Sequence, residues 1–397
     1  MSTNIQKNQI TEGIIWRQLL LFFFPILLGT FFQQLYNTID SVIVGQFVGK
    51  EALAAVGGSS AQIVAFVVGF FTGLSSGASV TIAQFFGAKD SRSANKGLHT
   101  AYAIAAFGGL ILTVSGIILT PFLLEMMNTP ADIVADSAVY LRIYFAGIIF
   151  VLIYNMGSAI LRATGDSKRP LYYLIVCCII NIVLDVLFVI VFHMGVMGVA
   201  VATLIAQAVS AVLVTLKLMR SEGILKLSVK QIRFHGSILK MQLKLGLPTG
   251  FEAILFSITN IAIQSAVNTF GTDTTAAWSA YGKLDAIFWM VSTAFGIAIT
   301  TFVGQNYGAG KMDRVRKSTR VCLLMDFIVS AVLVVFLIAA RFLLFRLFTN
   351  DSHVIEIGCD MLVLITPWYI VYVFIEVIAG ALRGVGNVVV PVAITLL

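Results

Sequence analysis

The sequence predicts an all-α polytopic membrane protein built from two parallel repeats, and three observations predict it. Hydrophobic residues make up 59% of the 397 and charged residues only 11%, with a mean hydropathy of +0.96, which no soluble domain matches. The apolar residues gather in runs of about 20 or more, the length that crosses a hydrocarbon core. Two loop motifs recur at one fixed offset along the chain.

Charged and turn-rich stretches bound spans near 15–48, 53–86, 97–120, 132–161, 170–192, 196–219, 241–269, 275–303, 317–344 and 354–382, with a stub from Val388. Thr11-Glu12 and Trp16-Arg17 read as an interfacial lead-in to the first helix. That first run is too long for a cleaved signal peptide, and more spans follow it. With the N-terminus cytoplasmic, the inner loops hold 21 of the 26 Lys and Arg residues, among them Lys7, Lys89, Arg162, the seven from Lys217 to Lys244 and the five from Lys311 to Arg320. The positive-inside rule then sets the orientation. The same loops account for the net charge of +7, so no nucleic-acid partner is expected.

The first helix carries the residue that most needs explaining. Phe31 to Gly49 reads FFQQLYNTIDSVIVGQFVG, in which Gln33, Asn37 and Asp40/Ser41 form a polar stripe with Tyr36 one turn from Asp40. A carboxylate within a span costs about 2.5–3.5 kcal/mol even on lenient scales and is functional by default. Pro25, in the same helix, removes one backbone hydrogen bond and supplies a place to bend.

Enzyme chemistry is not indicated. Cys177, Cys178, Cys322 and Cys359 lack metal-ligand spacing, and His99, His193, His235 and His353 fall at span ends or in loops. The chain contains no nucleophile elbow, phosphate loop or H-E-x-x-H. No cofactor is expected.

The repeat is read from LRATGDSKRP at Leu161–Pro170 and LRGVGNVVVP at Leu382–Pro391, and from Gln84-Phe-Phe-Gly-Ala and Gln305-Asn-Tyr-Gly-Ala, both pairs 221 residues apart. With a slip of two, Pro25 maps to Pro248 and Asn37 to Asn260, pairing helices one and seven. Six helices per unit return the chain to the same side, giving parallel repeats. The expected domains are residues 1–220 and 221–397, joined by a basic linker whose Ile224, Leu225, Leu227 and Val229 suit the inner membrane surface. Residue 397 corresponds to Val176, so counterparts of Cys177–Met219 are expected to be missing and the chain to be a truncated form.

Polar groups from several helices fall at one depth. Counting eight residues inward from the outer span ends reaches Asp40, Tyr140, Asp185 and Thr203, about 12 Å below the surface at 1.5 Å per residue. Asn181 shares a face with Asp185, and Thr203, Gln207 and Ser210 form a stripe. Two neighbouring acids in a low-dielectric setting do not both ionise readily, which is the chemistry of a proton or sodium switch. The second half has different acids: Glu252 after Pro248, Asp285 with Tyr281, Trp278 and Trp289 nearby, and Glu376 with Tyr369 and Tyr372. Hydrogen bonding between helices is the competing reading for these, and the role of Asp326 is open. Gly69/Gly73/Gly77, Gly246/Gly250, Gly304/Gly308 and Gly380/Gly384 are small-xxx-small patterns for close helix packing.

Taken together, LYNTIDSVIVGQFVG with ALAAVG following, the Ala83–Lys89 motif and its Gly304–Gly310 echo, Gly246-Leu-Pro with Glu252, and the two LR-x-x-G loops resemble the multidrug and toxic compound extrusion (MATE) family over the whole chain. The resemblance implies two six-helix bundles arranged as a V, the second truncated to leave about ten full helices plus a stub. It implies alternating-access export of organic cations and amphipathic compounds in exchange for protons or sodium, with the hinges at Pro25 and Pro248. By it, Asp40, Asn181, Asp185 and Thr203, with Tyr36, Asn37 and Tyr140 around them, fall on the first-half cation site, and Glu252, Asp285 and Glu376 on the second-half acids. Sodium, if it is the coupling ion, is expected at Asp40 and Asp185 or at Glu252 and Glu376. The implied setting is a monomer in the inner (plasma) membrane of a prokaryote, with membrane lipid as its surroundings. The rival within transport is a lipid-linked saccharide flippase of the same superfamily, which needs basic residues in its cavity. Outside the inner loops only Lys50, Arg142, Lys283, Arg341 and Arg346 remain, and Lys283 alone is placed to serve.

Overall fold

The computed structural model describes residues 9–396, among which there is no strand. Ten helices are long and apolar enough to cross a membrane: α1 Ile15–Phe47, α2 Lys50–Gly87, α3 Ser91–Met126, α4 Val134–Ala163, α5 Lys168–Val191, α6 Gly195–Met219, α7 Gly236–Asn268, α8 Thr272–Gly308, α9 Met312–Ala339 and α10 Ser352–Val385. These are the ten helices predicted from the apolar runs. Val389–Leu396 forms a further short helix. Lys7, counted with the basic residues above, lies outside the described residues.

Departures from the predicted elements have local causes. α3 begins at Ser91, earlier than its apolar run, because the Asp90 side chain accepts the Ser93 N–H at 3.0 Å and caps a polar first turn. α2 is two segments meeting at Gly58, Lys50–Gly57 and Ser59–Gly87. α5 runs as an α-helix to Asp185 and then as a π turn over Val186–Val191. α10 is interrupted by a 3-10 turn at Thr366–Trp368, where Pro367 cannot donate a backbone bond.

The repeat is present at the level of single bonds. Ser79 Oγ donates to Ala159 O at 3.3 Å, and 221 residues on Thr300 Oγ1 donates to Gly380 O at 3.0 Å. Gly165 and Gly386 share a left-handed backbone (φ 96° and 91°), as do Lys89 and Gly310 (57° and 71°). After each LR-x-x-G turn the next helix is capped alike, by Asp166 accepting the Arg169 N–H and by Asn387 accepting the Val390 N–H.

Packing divides the chain into two compact units, one running Leu28–Ile254 and the other taking the chain up to Leu27 with Leu255 onward. This differs from a cut at residue 220, because α1 and α7 each change unit part-way along. In the Leu28–Ile254 unit, α2, α3, α4 and α6 close on Leu74, Ile82, Leu98, Tyr102, Ile148, Met156, Ile160 and Val214. The first half of α7 joins them through bare backbone. A Cβ on Gly73 would stand 2.4 Å from Gly250 N, and one on Gly77 2.4 Å from Gln242 O. In the other unit the start of α1 packs on α8, with Phe23 stacked on Phe295 at 4.1 Å between ring centres.

The linker before α7 is pinned to the first turns of α3. Leu227 is buried in the core, with Leu225 beside it, while Val229 is exposed. His99 Nδ1 donates to Asn95 O at 2.8 Å, so its Nε2 is free to accept the Ser228 N–H at 3.1 Å. His235 Nε2 accepts from Arg233 Nε at 3.3 Å and its Nδ1 faces Thr100 Oγ1 at 3.1 Å. The ring nitrogens thus tie the linker to α3 on both sides. Burial, with Arg233, Lys96 and His99 nearby, holds His235 below the ordinary histidine value. A base with a depressed folded value binds its proton more readily when released, so the docked linker is fully held above about pH 6.5 and loosens as pH falls below it. Amide exchange over 225–235, corrected for intrinsic rate, should rise several-fold at acid pH. In Thr100→Val, which removes the oxygen His235 faces, the rise should shrink; equal rises in both proteins would show that His235 does not hold the linker.

Candidate functional site

The buried polar cluster lies within the Leu28–Ile254 unit and is built from α1, α4, α5 and α6. On α1 the residues turned inward are Tyr36, Asp40, Ile43 and Val44, four and then three or four apart, as a helix face requires. Gln33, Gln34, Asn37, Thr38 and Ser41 are exposed. Asn37 is thus not part of the buried cluster, and the predicted stripe divides, Asp40 going in while Asn37 and Ser41 stay out. Ser41 Oγ donates back to Asn37 O at 3.0 Å.

Asp40 retains 8% of its surface, Asn181 1%, Asp185 none and Thr203 8%. The Asp40 side chain faces those of Asp185 and Thr203 closely enough to interact with both. Tyr140 stands by both acids and stacks on Tyr144, ring centres 6.2 Å apart. Tyr36 OH accepts from Gln207 Nε2 at 3.4 Å. Asp40 Oδ1, both Asp185 oxygens, both Asn181 amide atoms and Thr203 Oγ1 have no hydrogen-bond partner of good geometry. Leaving such groups bare costs about 1–3 kcal/mol each, and more for a charge. A proton shared by the two acids, or a small cation among these oxygens, removes that cost. Carboxylate, amide and hydroxyl oxygens are the donors a hard cation prefers.

Two features of this cluster escaped the sequence. Cys177, read there as a small apolar residue, sits beside Ser210 with Asp40 in range. The π turn starts at the residue after Asp185; such turns recur at functional sites. Nothing in the apolar run signals it.

The second-half acids are divided between the two units. Glu252, 7% exposed, belongs to the Leu28–Ile254 unit, whereas Asp285 and Glu376 belong to the other. Asp285 is held by Trp289 Nε1 at 2.8 Å and by Tyr369 OH, which also pairs with Tyr281. Glu376 accepts from Tyr372 OH at 3.2 Å and pairs with Arg383 at 3.5 Å. It occupies space that only Gly296 leaves open, since a Cβ there would stand 2.0 Å from Glu376 Oε1. Asp326, fully buried, accepts from Ser330 Oγ at 3.1 Å. Pro25 and Pro248 lie inside helices that continue through them. Lys283 is exposed. Among the described residues no three His, Cys, Asp or Glu side chains converge as a metal site.

Comparison with known proteins bears on the family and the fold. A family model described as MatE matches residues 25–187 and 248–397. The Probable multidrug resistance protein YoeA of Bacillus subtilis (strain 168) is 30% identical over 390 residues, covering 96% of this chain and 84% of its own length. The Probable multidrug resistance protein NorM of Thermotoga maritima is 28% identical over 403 residues, covering 98% and 84%. A solved outward-facing multidrug resistance MATE family transporter of the MOP superfamily superimposes with a TM-score of 0.91 at 22% identity, over all of this chain and 88% of its own.

Proposed function

The chain belongs to the MatE family of multi-pass membrane transporters, and from that premise we propose that it is a secondary antiporter exporting organic cations and amphipathic compounds against an inward flow of protons or sodium. The observation that carries the proposal is the pair of buried, facing acids, Asp40 and Asp185, of whose oxygens Asp40 Oδ1 and both of Asp185 have no hydrogen-bond partner of good geometry. In this reading Asp40 and Asp185 take the coupling ion, and Asn181 and Thr203 supply neutral oxygens to it. Tyr36 and Tyr140 wall the pair, and Pro25 and Pro248 are the hinges. In the same reading the basic loops face the cytoplasm, the N-terminus lies on that side, and the membrane is the plasma membrane of a prokaryote. A monomer suffices in this reading, since the two acids lie within one unit. A lipid-linked saccharide carrier would need cations around its cargo; around this pair stand tyrosines, amides, hydroxyls and a thiol.

Coupling follows from mutual exclusion. If the acids hold either an ion or, through the state they favour, the drug, each ligand weakens the other by the same factor. Binding of a fluorescent organic cation should therefore strengthen from about pH 5.5 to about pH 8.5, as the acids lose protons. Asp185→Asn should flatten that dependence, and a neutral analogue should not show it. An affinity independent of pH, or an equal effect on the neutral analogue, would move coupling to Glu252 and Glu376.

A further inference from the structure

Two cavities occur at helix starts that the repeat makes equivalent. The first, about 450 Å³, lies at the entry to α1 and is lined by Gly13, Trp16, Arg314, Lys317 and Val321, with Asp313 on its wall. The second, about 580 Å³, lies along the first turns of α7 beside Leu239, Lys240, Leu243 and Lys244. The shift of 223 that aligns Pro25 with Pro248 also aligns Gly13 with Gly236 and Trp16 with Leu239. Each cavity keeps two basic side chains beside apolar ones.

The first is the better built. Arg314 donates through Nε and Nη2 to Ile10 O at 3.1 and 2.9 Å and through Nη2 to Gly13 O, which fixes the guanidinium at the cavity edge. Lys317, one turn on, is exposed and makes no ion pair with a described residue. Ile14 and Trp16 are 60% and 55% exposed where the apolar run begins. Arg314 and Lys317, with Lys311 Nζ on Thr11 O at 3.0 Å, outnumber Asp313 and the Glu12 beside Arg314, which favours an anion. Exposed Ile14, Trp16 and Val321 give that anion an apolar continuation. An indole at such a place belongs at the headgroup level of a bilayer. We propose that these two cavities, at equivalent helix starts but with basic side chains from non-equivalent positions, are binding sites for anionic phospholipid, with Arg314 and Lys317 on the phosphate of the first and Lys240 and Lys244 on that of the second. Charge excludes a cationic drug as the occupant, and the apolar walls favour a lipid over free phosphate.

Native mass spectrometry of delipidated protein titrated with phosphatidylglycerol or phosphatidylcholine tests this. Two phosphatidylglycerol molecules per chain should be retained at concentrations where phosphatidylcholine is not. Lys317→Gln should weaken one of them about fivefold, the effect of about 1 kcal/mol for one basic residue near an anionic surface, and Lys317→Arg should restore it. Lys240→Gln with Lys244→Gln should act on the other and add to the first. A readout on the parent protein needs no charge variant: brominated phosphatidylglycerol should quench tryptophan fluorescence more than brominated phosphatidylcholine, and Trp16→Phe should abolish the difference. Equal retention of the two lipids, no effect of Lys317→Gln, or displacement by inorganic phosphate as effectively as by phosphatidylglycerol would overturn the proposal, the last by marking a small-anion site.

Discussion

Asp40→Asn is expected to fold and insert like the parent and to lose ion-coupled transport. The amide fills the space of the carboxyl, so packing against Thr203 and Asp185 is kept. What disappears is the ability to take and release a proton or to neutralise a cation. The new NH₂ group would also donate to Asp185, stabilising that carboxylate and reducing its tendency to pick up an ion. Coupling between two ligands is commonly about 1–3 kcal/mol, or about 5- to 150-fold in affinity, and Asp40→Asn should remove most of it. The measurement is proton or sodium flux driven by an organic-cation gradient in liposomes, alongside melting temperature in detergent. Flux indistinguishable from the parent would refute the role given to Asp40. A collapse of the melting temperature would instead show that the carboxyl serves the fold.

Gly73→Val should unfold the protein or cost it about 3 kcal/mol or more, beyond the usual 1–3 kcal/mol of core overpacking. A Cβ at this position would meet Gly250 N at 2.4 Å and Gly250 Cα and Thr249 C at 2.6 Å. All three are backbone, so no rotamer change relieves the clash. The helices would have to part, giving up the contacts at Gly69, Gly77, Gly246 and Gly250 together and the bond from Gln242 Nε2 to Gly97 O at 3.0 Å. Within a bilayer this seam has no hydrophobic driving force behind it, only close contact and hydrogen bonds. The control is Gly282→Ala, where a Cβ meets nothing within 4 Å and helix propensity favours alanine by about 1 kcal/mol. Thermal melting in detergent separates the two. If Gly73→Val melts with the parent, the seam is not a constraint on folding.

The ten helices were legible because each is a long apolar run, and the duplication because two loops repeat their residues, Gly165 and Gly386 at a left-handed turn among them. Asp40 and Asp185 were legible through the cost of a carboxylate among lipid-like residues. Asn37 shows where that reasoning stops. Measured from Asp40, Tyr36 lies about 40° round the helix and Asn37 about 60° the other way. Either fits a stripe, and only the packed neighbours choose the side on which Tyr36, Asp40 and Val44 lie. Gly296 could be read as a small residue but not as the space for Glu376, eighty positions away. The bond from Ser228 to His99 joins residues 129 apart in sequence and leaves no trace in either segment.

The π turn after Asp185 gives this helix one residue more than an α-helix of the same span needs, with the Phe192 N–H reaching back five positions to Leu187 O at 2.9 Å. Its ladder is poorer than an α-helical one, and loss of any single residue from 186–191 would let it close into regular turns. The residues beyond would then keep the faces they present now, because the residue lost is the one the wider turn absorbs. The extra residue is thus confined to the turn that follows Asp185. Its removal would narrow the helix beside the acid while leaving Phe192 and His193 where a regular helix would carry them.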